Sequence, residues 1–296
     1  MGINEVVHLY QQSTGKMTQG NTLHTAPVMG ISRHRLSTDG RGVTTLVGLH
    51  GCPLNCLYCL NNNCHTPDGI WRTMTTQELY EAVKIDDIYF RSTGGGITFG
   101  GGEPALHSEY IEQFCKQYAH GWNITIESSL NAPLHHIKRL AQVANAYIID
   151  IKTLDREIYR RYTGLEIDRA IENLQYLISR GDAGKIVVRT PLIPYFNTLA
   201  DVEETTQVLQ SMGIKHFAPL TYSTNIVKQP RKESLAGKTI CNVLKRIRTI
   251  IANANNIEYT PTPCTHTTCA TGNCPMCEKE LAWLSQQIQQ RDNVIL

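Results

Sequence analysis

Six stretches of strand character alternate with stretches of helical period along this chain, and no other property narrows the fold as far. The strand-like stretches are 43–49, 96–99, 122–127, 146–151, 185–189 and 215–222. Between them lie helical patterns at 75–90 (Leu79, Val83 and Phe90 near one face), 107–119, 133–144 and 199–212 (Val202, Leu209 and Met212 inward). A further helix is expected after Asp168 as its cap, with Ile171, Leu174 and Ile178 on one face. Strands separated by helices pair in parallel, because each crossover needs an element long enough to return the chain. Six units are too few for the usual eight-fold closed barrel, so a partial (β/α)6 barrel and an open doubly wound sheet both fit. In either, chemistry belongs at the C-terminal strand ends. Glu103, Glu127, Asp150, Lys152 and Arg189 all fall there.

The 296 residues suffice for a real core, and a net charge of +2 argues against a nucleic-acid binder living on bulk charge. No apolar run approaches the length of a membrane helix, and Met1–Val6 has neither a signal-peptide pattern nor a myristoylation site. A cytoplasmic chain is expected, with its ten cysteines reduced. Three parts are read: a loose arm at 1–30, a core at 31–235, and C-terminal helices at 236–296 around a cysteine-rich turn.

Gly51-Cys52-Pro53-Leu54-Asn55-Cys56-Leu57-Tyr58-Cys59 follows the first strand of the array. Three thiolates so close can hold one metal centre with a position left open. On spacing alone a structural zinc knuckle closed by Cys64 or His65 stays open as well. Gly94–Pro104 carries two glycine triplets and ends in Gly-Gly-Glu-Pro after a strand, where bare backbone can approach a ligand; no P-loop lysine follows. Asp150 and Lys152, two apart on a strand, point to one side, and Tyr162-Thr163-Gly164 follows.

C-x3-C-x2-C with an aromatic residue before the last cysteine resembles the signature of the radical S-adenosylmethionine (SAM) enzymes. The Asp-x-Lys and Thr-Gly segments resemble their glycyl-radical-enzyme activases. The resemblance covers about 28–225 and implies a partial (β/α)6 barrel of the radical SAM type. It implies that Cys52, Cys56 and Cys59 hold a [4Fe-4S] cluster whose remaining iron is chelated by SAM. It further implies that Tyr58 lies beside the cofactor and that Gly101, Gly102 and Glu103 bind the methionyl amino group. Glu127, Ser129, Asp150 and Lys152 would lie in the same shell, and Arg189 would face the SAM carboxylate. An oxygen-sensitive cluster reduced by a flavodoxin or ferredoxin is implied, with a glycyl radical protein as partner and neither nucleic acid nor membrane. The implied reaction is reductive SAM cleavage to a 5′-deoxyadenosyl radical; radical modification of a peptide or small molecule is the alternative.

The chain departs from the activase pattern twice. Ser223 stands where a histidine near the SAM ribose is usual, and Thr221 replaces a proline. The ferredoxin insert of many activases is absent: 61–93 has Cys64 alone. Near the C-terminus, Cys264, Cys269, Cys274 and Cys277 form a second motif in which zinc and an auxiliary iron–sulfur cluster compete. Cys115 and Cys241, inside helical patterns, are read as small buried hydrophobes.

Overall fold

The computed structural model describes residues 24–36, 38–221, 233–264, 274–291 and 294–296. Ser223 and Cys269 lie outside the described residues.

The first described element is β1 (Thr25–Leu36), which begins within the stretch read as the arm. β1 pairs antiparallel with β2 (Val43–Leu49) on one side and β3 (Arg72–Thr75) on the other. Thr44 is buried as well as Val43, Thr45, Val47 and Leu49, because the strand is covered on both faces. Helices α1 (Thr76–Val83) and α2 (Asp87–Thr93) then lead to β4 (Gly96–Gly101). From there the units repeat: α3 (Ser108–Tyr118), β5 (Asn123–Ser128), α4 (Leu134–Leu140), β6 (Ala146–Asp150), α5 (Arg156–Thr163) and α6 (Asp168–Ser179). β7 (Ile186–Leu192), α7 (Leu199–Ser211) and β8 (His216–Thr221) complete the array. The sheet order is β3-β1-β2-β4-β5-β6-β7-β8, with parallel pairing from β2 onward. That gives the six parallel strands expected, in an open partial barrel with two antiparallel strands added at one edge.

Two local expectations fail for identifiable reasons. The single helix expected over 75–90 is divided. A capping box between Thr75 and Glu78 starts α1, and a 3-10 turn at Lys84–Asp86 separates it from α2. The break turns Asp86 inward, where Arg33 donates to both carboxylate oxygens at 2.8 Å and His34 lies at 3.0 Å. Asp168 is not a cap: Ile167 holds that position, and the Asp168 carboxylate instead accepts two bonds from Arg156.

The C-terminal helices α8 (Glu233–Ala254) and α9 (Pro275–Gln289) form a second small core. Leu244 and Ile251 meet Leu281, Leu284 and Ile288 there, together with Val43, Ile88 and Tyr89 from the main fold. Arg248, fully buried, donates to the Tyr89 and Tyr259 hydroxyls and to Glu280 at 2.8 Å. Arg33 reaches Glu278 at 2.7 Å. Among the described residues no helix is long and apolar enough to cross a membrane.

Candidate functional site at the strand ends

The cysteine loop leaves the end of β2 and is held by backbone bonds on both sides. The Asn55 N–H donates to the Thr163 carbonyl at 2.8 Å and the Leu57 N–H to that of Tyr162 at 3.2 Å. The last carbonyls of a helix lack partners within it, so the end of α5 supplies ready acceptors, and Gly164 at φ 81° turns the chain away. The Tyr-Thr-Gly segment therefore has a structural task against the cysteine loop. On the other side, Glu103 N–H donates to Gly51 O at 2.7 Å and Gly102 N–H to Leu49 O at 2.8 Å.

This second contact explains the glycines. A Cβ on Gly102 would lie 2.2 Å from the Gly51 oxygen. One on Gly101, at φ 91°, would lie 2.7 Å from the Gly48 Cα. Backbone meets backbone here, and no side chain fits between them.

Cys52, Cys56 and Cys59 are half-buried on this loop. Burial pushes the Cys56 thiol up to about 12, opposed by the Lys152 charge. The fully buried Cys64 joins them: the mutual influence of Cys64 with Cys52 and Cys59 raises Cys64 and lowers Cys59. The donor set fits an iron–sulfur centre, being soft sulfur only. Among the described residues no three His, Cys, Asp or Glu side chains converge as ligands of a single ion. A cubane binds its thiolates on separate irons and does not require that convergence.

Opposite the loop, four charged side chains form a continuous chain across three strand ends. Glu127 of β5 accepts from Arg189 of β7. Arg189 Nε donates to Asp150 Oδ1 at 2.6 Å, and Lys152 Nζ to Asp150 Oδ2 at 3.0 Å. Burial alone would raise Asp150, but Lys152 and Arg189 outweigh it and hold the carboxyl below the usual range. Burial works against the Arg189 charge, and Asp150 with Glu127 more than restores it. Arg189 is thus no ordinary surface cation. Lys152, only 6% exposed, connects this chain to the cysteines, since its charge acts on both Cys56 and Cys59.

Glu103 occupies a different setting. It is fully buried and accepts from the Ser128 and Ser129 hydroxyls at 2.7 Å each, from Ser129 N–H at 2.9 Å and from Ala105 N–H at 3.1 Å. Burial raises its pKa despite these donors. The carboxylate ties the end of β4 to the end of β5, and Ser129 is one of its donors. Ser128 was not singled out from sequence; its place beside Ser129 after Glu127 is the available signal. Tyr58 is half-buried against Tyr162 and Phe196, with ring centroids 6.2 Å away in each case.

The structure thus brings Tyr58, the first three cysteines, Gly101–Glu103, Glu127, Ser129, Asp150, Lys152 and Arg189 to one end of the sheet. A cavity of about 630 Å³ lined by Arg41, Gly94, Trp122, Asn123 and Asn145 lies at the other end, among the N-terminal ends of the strands. Placement at C-terminal strand ends and the thiols favour the former as the site of chemistry. Of the second motif, Cys264 is exposed, Cys274 half-buried and Cys277 buried. Cys115 is buried as expected, whereas Cys241, also buried, has its Sγ 3.9 Å from that of Cys277.

The family described as the Radical SAM superfamily matches residues 46–209. The Escherichia coli (strain K12) pyruvate formate-lyase 2-activating enzyme is 28% identical over 245 residues, 70% of this chain and 83% of that protein. The Klebsiella oxytoca (2S)-3-sulfopropanediol dehydratase activating enzyme is 33% identical over 181 residues, 59% of this chain and 56% of that protein. This chain therefore spans just over half of that second relative. The Oleidesulfovibrio alaskensis isethionate sulfite-lyase activating enzyme is 27% identical, over 58% of this chain and 74% of its own.

Proposed function

Because this chain belongs to the radical SAM superfamily, whose members use a [4Fe-4S] cluster and SAM, we propose that it activates a glycyl radical enzyme. The relatives named above are activating enzymes of such partners, which supports a protein substrate of that class. When bound, the cluster and SAM would supply one-electron reductive cleavage of SAM and, through it, hydrogen-atom abstraction from a glycine Cα.

This chain's own residues bind and orient. Cys52, Cys56 and Cys59 hold the cluster, on a loop fixed by the α5 carbonyls and by the Gly101–Gly102 contact. Lys152 and Arg189 are the cations available to the amino-acid end of SAM, and Glu127 and Asp150 the anions. Glu103 and Ser129 act by fixing the floor between β4 and β5, with Gly101 and Gly102 offering backbone above it. Tyr58 walls one side with Tyr162 and Phe196. Keeping the mouth dry and the reactants aligned is the protein's main catalytic contribution. Ser223 is assigned to the ribose side by its place in the sequence alone.

The observation that carries this reading is the Glu127–Arg189–Asp150–Lys152 chain facing the cysteine loop at the strand ends. A low-potential flavodoxin or ferredoxin is proposed as donor in a cytoplasmic setting. The three-part division at 1–30, 31–235 and 236–296 is kept as a proposal, with the C-terminal part binding zinc or an auxiliary iron–sulfur cluster through Cys264, Cys269, Cys274 and Cys277.

The test is anaerobic purification, iron and sulfide counting, and addition of dithionite with SAM. Formation of 5′-deoxyadenosine is expected, and its absence from cluster-loaded protein defeats the enzyme assignment. A glycyl radical doublet in the electron paramagnetic resonance spectrum of a co-encoded partner is expected next. Failure to form it alongside active SAM cleavage defeats the activase assignment alone.

A further inference from the structure

We propose that Cys241, in α8, is a ligand of a zinc ion that it shares with Cys274 and Cys277 at the start of α9. The inference rests on the reading that the C-terminal cysteines bind metal, and adds to it the metal and a ligand from outside the motif.

The separation of sulfurs is the first argument. Cys241 Sγ lies 3.9 Å from Cys277 Sγ. Two thiolates on one tetrahedral zinc, each about 2.3 Å from the metal, stand about 3.8 Å apart. A disulfide needs about 2.0 Å, and thiolates on separate irons of a cubane lie further apart than those sharing one ion. The third sulfur is near, since Cys274 caps the helix that carries Cys277 and acts on its thiol. Cys241 and Cys277 are buried, at 2% and 5% exposure, which suits a structural site closed to solvent.

The placement on the helix is the second argument. Cys274 is the N-cap of α9 and Pro275 opens its first turn, so Cys277 falls in that same turn. Binding zinc converts thiols to thiolates with release of their protons, and nothing is oxidised or reduced. The approach of α8 to α9 is also set independently of any metal. Arg248 on α8 binds Glu280 on α9 at 2.8 Å, and Arg33 on β1 binds Glu278 at 2.7 Å. The sulfurs are thus brought together by a framework of apolar contacts and ion pairs around them. Among the described residues no three ligands yet converge on one ion; Cys264, exposed, is the remaining described sulfur donor of the motif for the last position.

The full chain, purified without oxygen, is assayed for zinc and iron as wild type and as Cys241→Ala, Cys277→Ala and Cys115→Ala. Zinc is expected at about one per chain in the wild type and in Cys115→Ala. It should be lost from the other two with cluster iron unchanged, and Cys241→His should regain it. Zinc kept by Cys241→Ala but lost from Cys277→Ala overturns the role of Cys241 and leaves the C-terminal metal reading intact. Iron in place of zinc, lost with Cys277→Ala, overturns the metal identity. Wild type without any metal beyond the first cluster overturns the underlying reading as well. Cobalt(II) exchange into wild type needs no variant: sulfur-to-cobalt charge-transfer absorption and a tetrahedral ligand-field envelope are expected, and cobalt uptake without them refutes the thiolate site.

Discussion

Replacing Gly102 by alanine tests whether the contact between two loops sets the position of the cluster-binding cysteines. Gly102 has no left-handed φ, so the added methyl brings no backbone strain of that kind. Its Cβ would instead lie 2.2 Å from the Gly51 oxygen and 2.9 Å from the Leu49 oxygen. Ordinary contact begins at 3.4 Å, so the loops must part by roughly 1 Å. Gly51 directly precedes Cys52, and the Glu103 N–H bond to Gly51 O at 2.7 Å is lost or stretched in the process. A misplacement of about 1 Å at a reacting centre costs about 100-fold in rate, which is about 2.7 kcal/mol. Overpacking should also destabilise the fold by about 1–3 kcal/mol. The assay is the initial rate of 5′-deoxyadenosine formation per loaded cluster under dithionite. Gly184→Ala serves as control, because its Cβ would meet nothing within 4 Å and its φ is also not left-handed; its rate should match wild type. A Gly102→Ala rate within about threefold of wild type, a difference under 1 kcal/mol, would refute the claim that this contact positions the loop.

Cys56→Ala should abolish SAM cleavage while circular dichroism stays native, whereas Cys64→Ala should keep its cluster iron; loss of iron in Cys64→Ala would make it a ligand. Lys152→Ala and Arg189→Ala should each weaken SAM binding by about 30-fold, on the order of 2 kcal/mol for breaking a buried charged pair, with iron content preserved; equal loss of iron in both would indicate folding damage. Arg248→Ala removes the cation beside Glu280, which keeps only Tyr259 and Thr262 as donors, and takes the partner from the Tyr89 hydroxyl; it should cost about 3 kcal/mol in denaturant melts, and a loss below 1 kcal/mol contradicts the buried-pair argument. Acid should destabilise the protein through Asp86. Burial would raise that carboxyl, but Arg33 and His34 hold it below the usual range. Its stabilising effect is then complete above about pH 4, the unfolded value, and is lost as pH falls through the lower folded value. Thermal melts of wild type and Asp86→Asn should converge in acid, and a constant gap down to pH 2 would contradict the linkage.

The strand and helix alternation was legible because period-2 and period-3.6 patterns report burial directly, and the six parallel strands follow from it. Clustering at strand ends was legible for the same reason: a residue's position in its strand fixes the end it occupies. Partners were less legible. The sequence marks Glu103 and Ser129 as neighbours of one site, but not that the serine hydroxyls saturate the carboxylate. It marks glycines, but not that Gly102 meets Gly51. The break at Lys84–Asp86 was invisible because its cause, Arg33, lies 53 positions from Asp86. Cys241 read as a hydrophobe because its neighbour Cys277 is 36 positions away. Contacts of that range come from tertiary packing, which local pattern does not encode.

The run of side chains from Glu127 through Arg189 and Asp150 to Lys152 contains two anions and two cations, so it is electroneutral as it stands. The amino-acid end of a ligand, one ammonium and one carboxylate, is electroneutral too. It can enter by exchanging partners along the run: the carboxylate takes up a guanidinium or ammonium, and the ammonium takes up a released carboxylate. No uncompensated charge is left in a partly dry site at any stage, which avoids the large desolvation penalty of a solitary ion. A zwitterion is therefore admitted at far lower cost than a simple anion or cation of the same size.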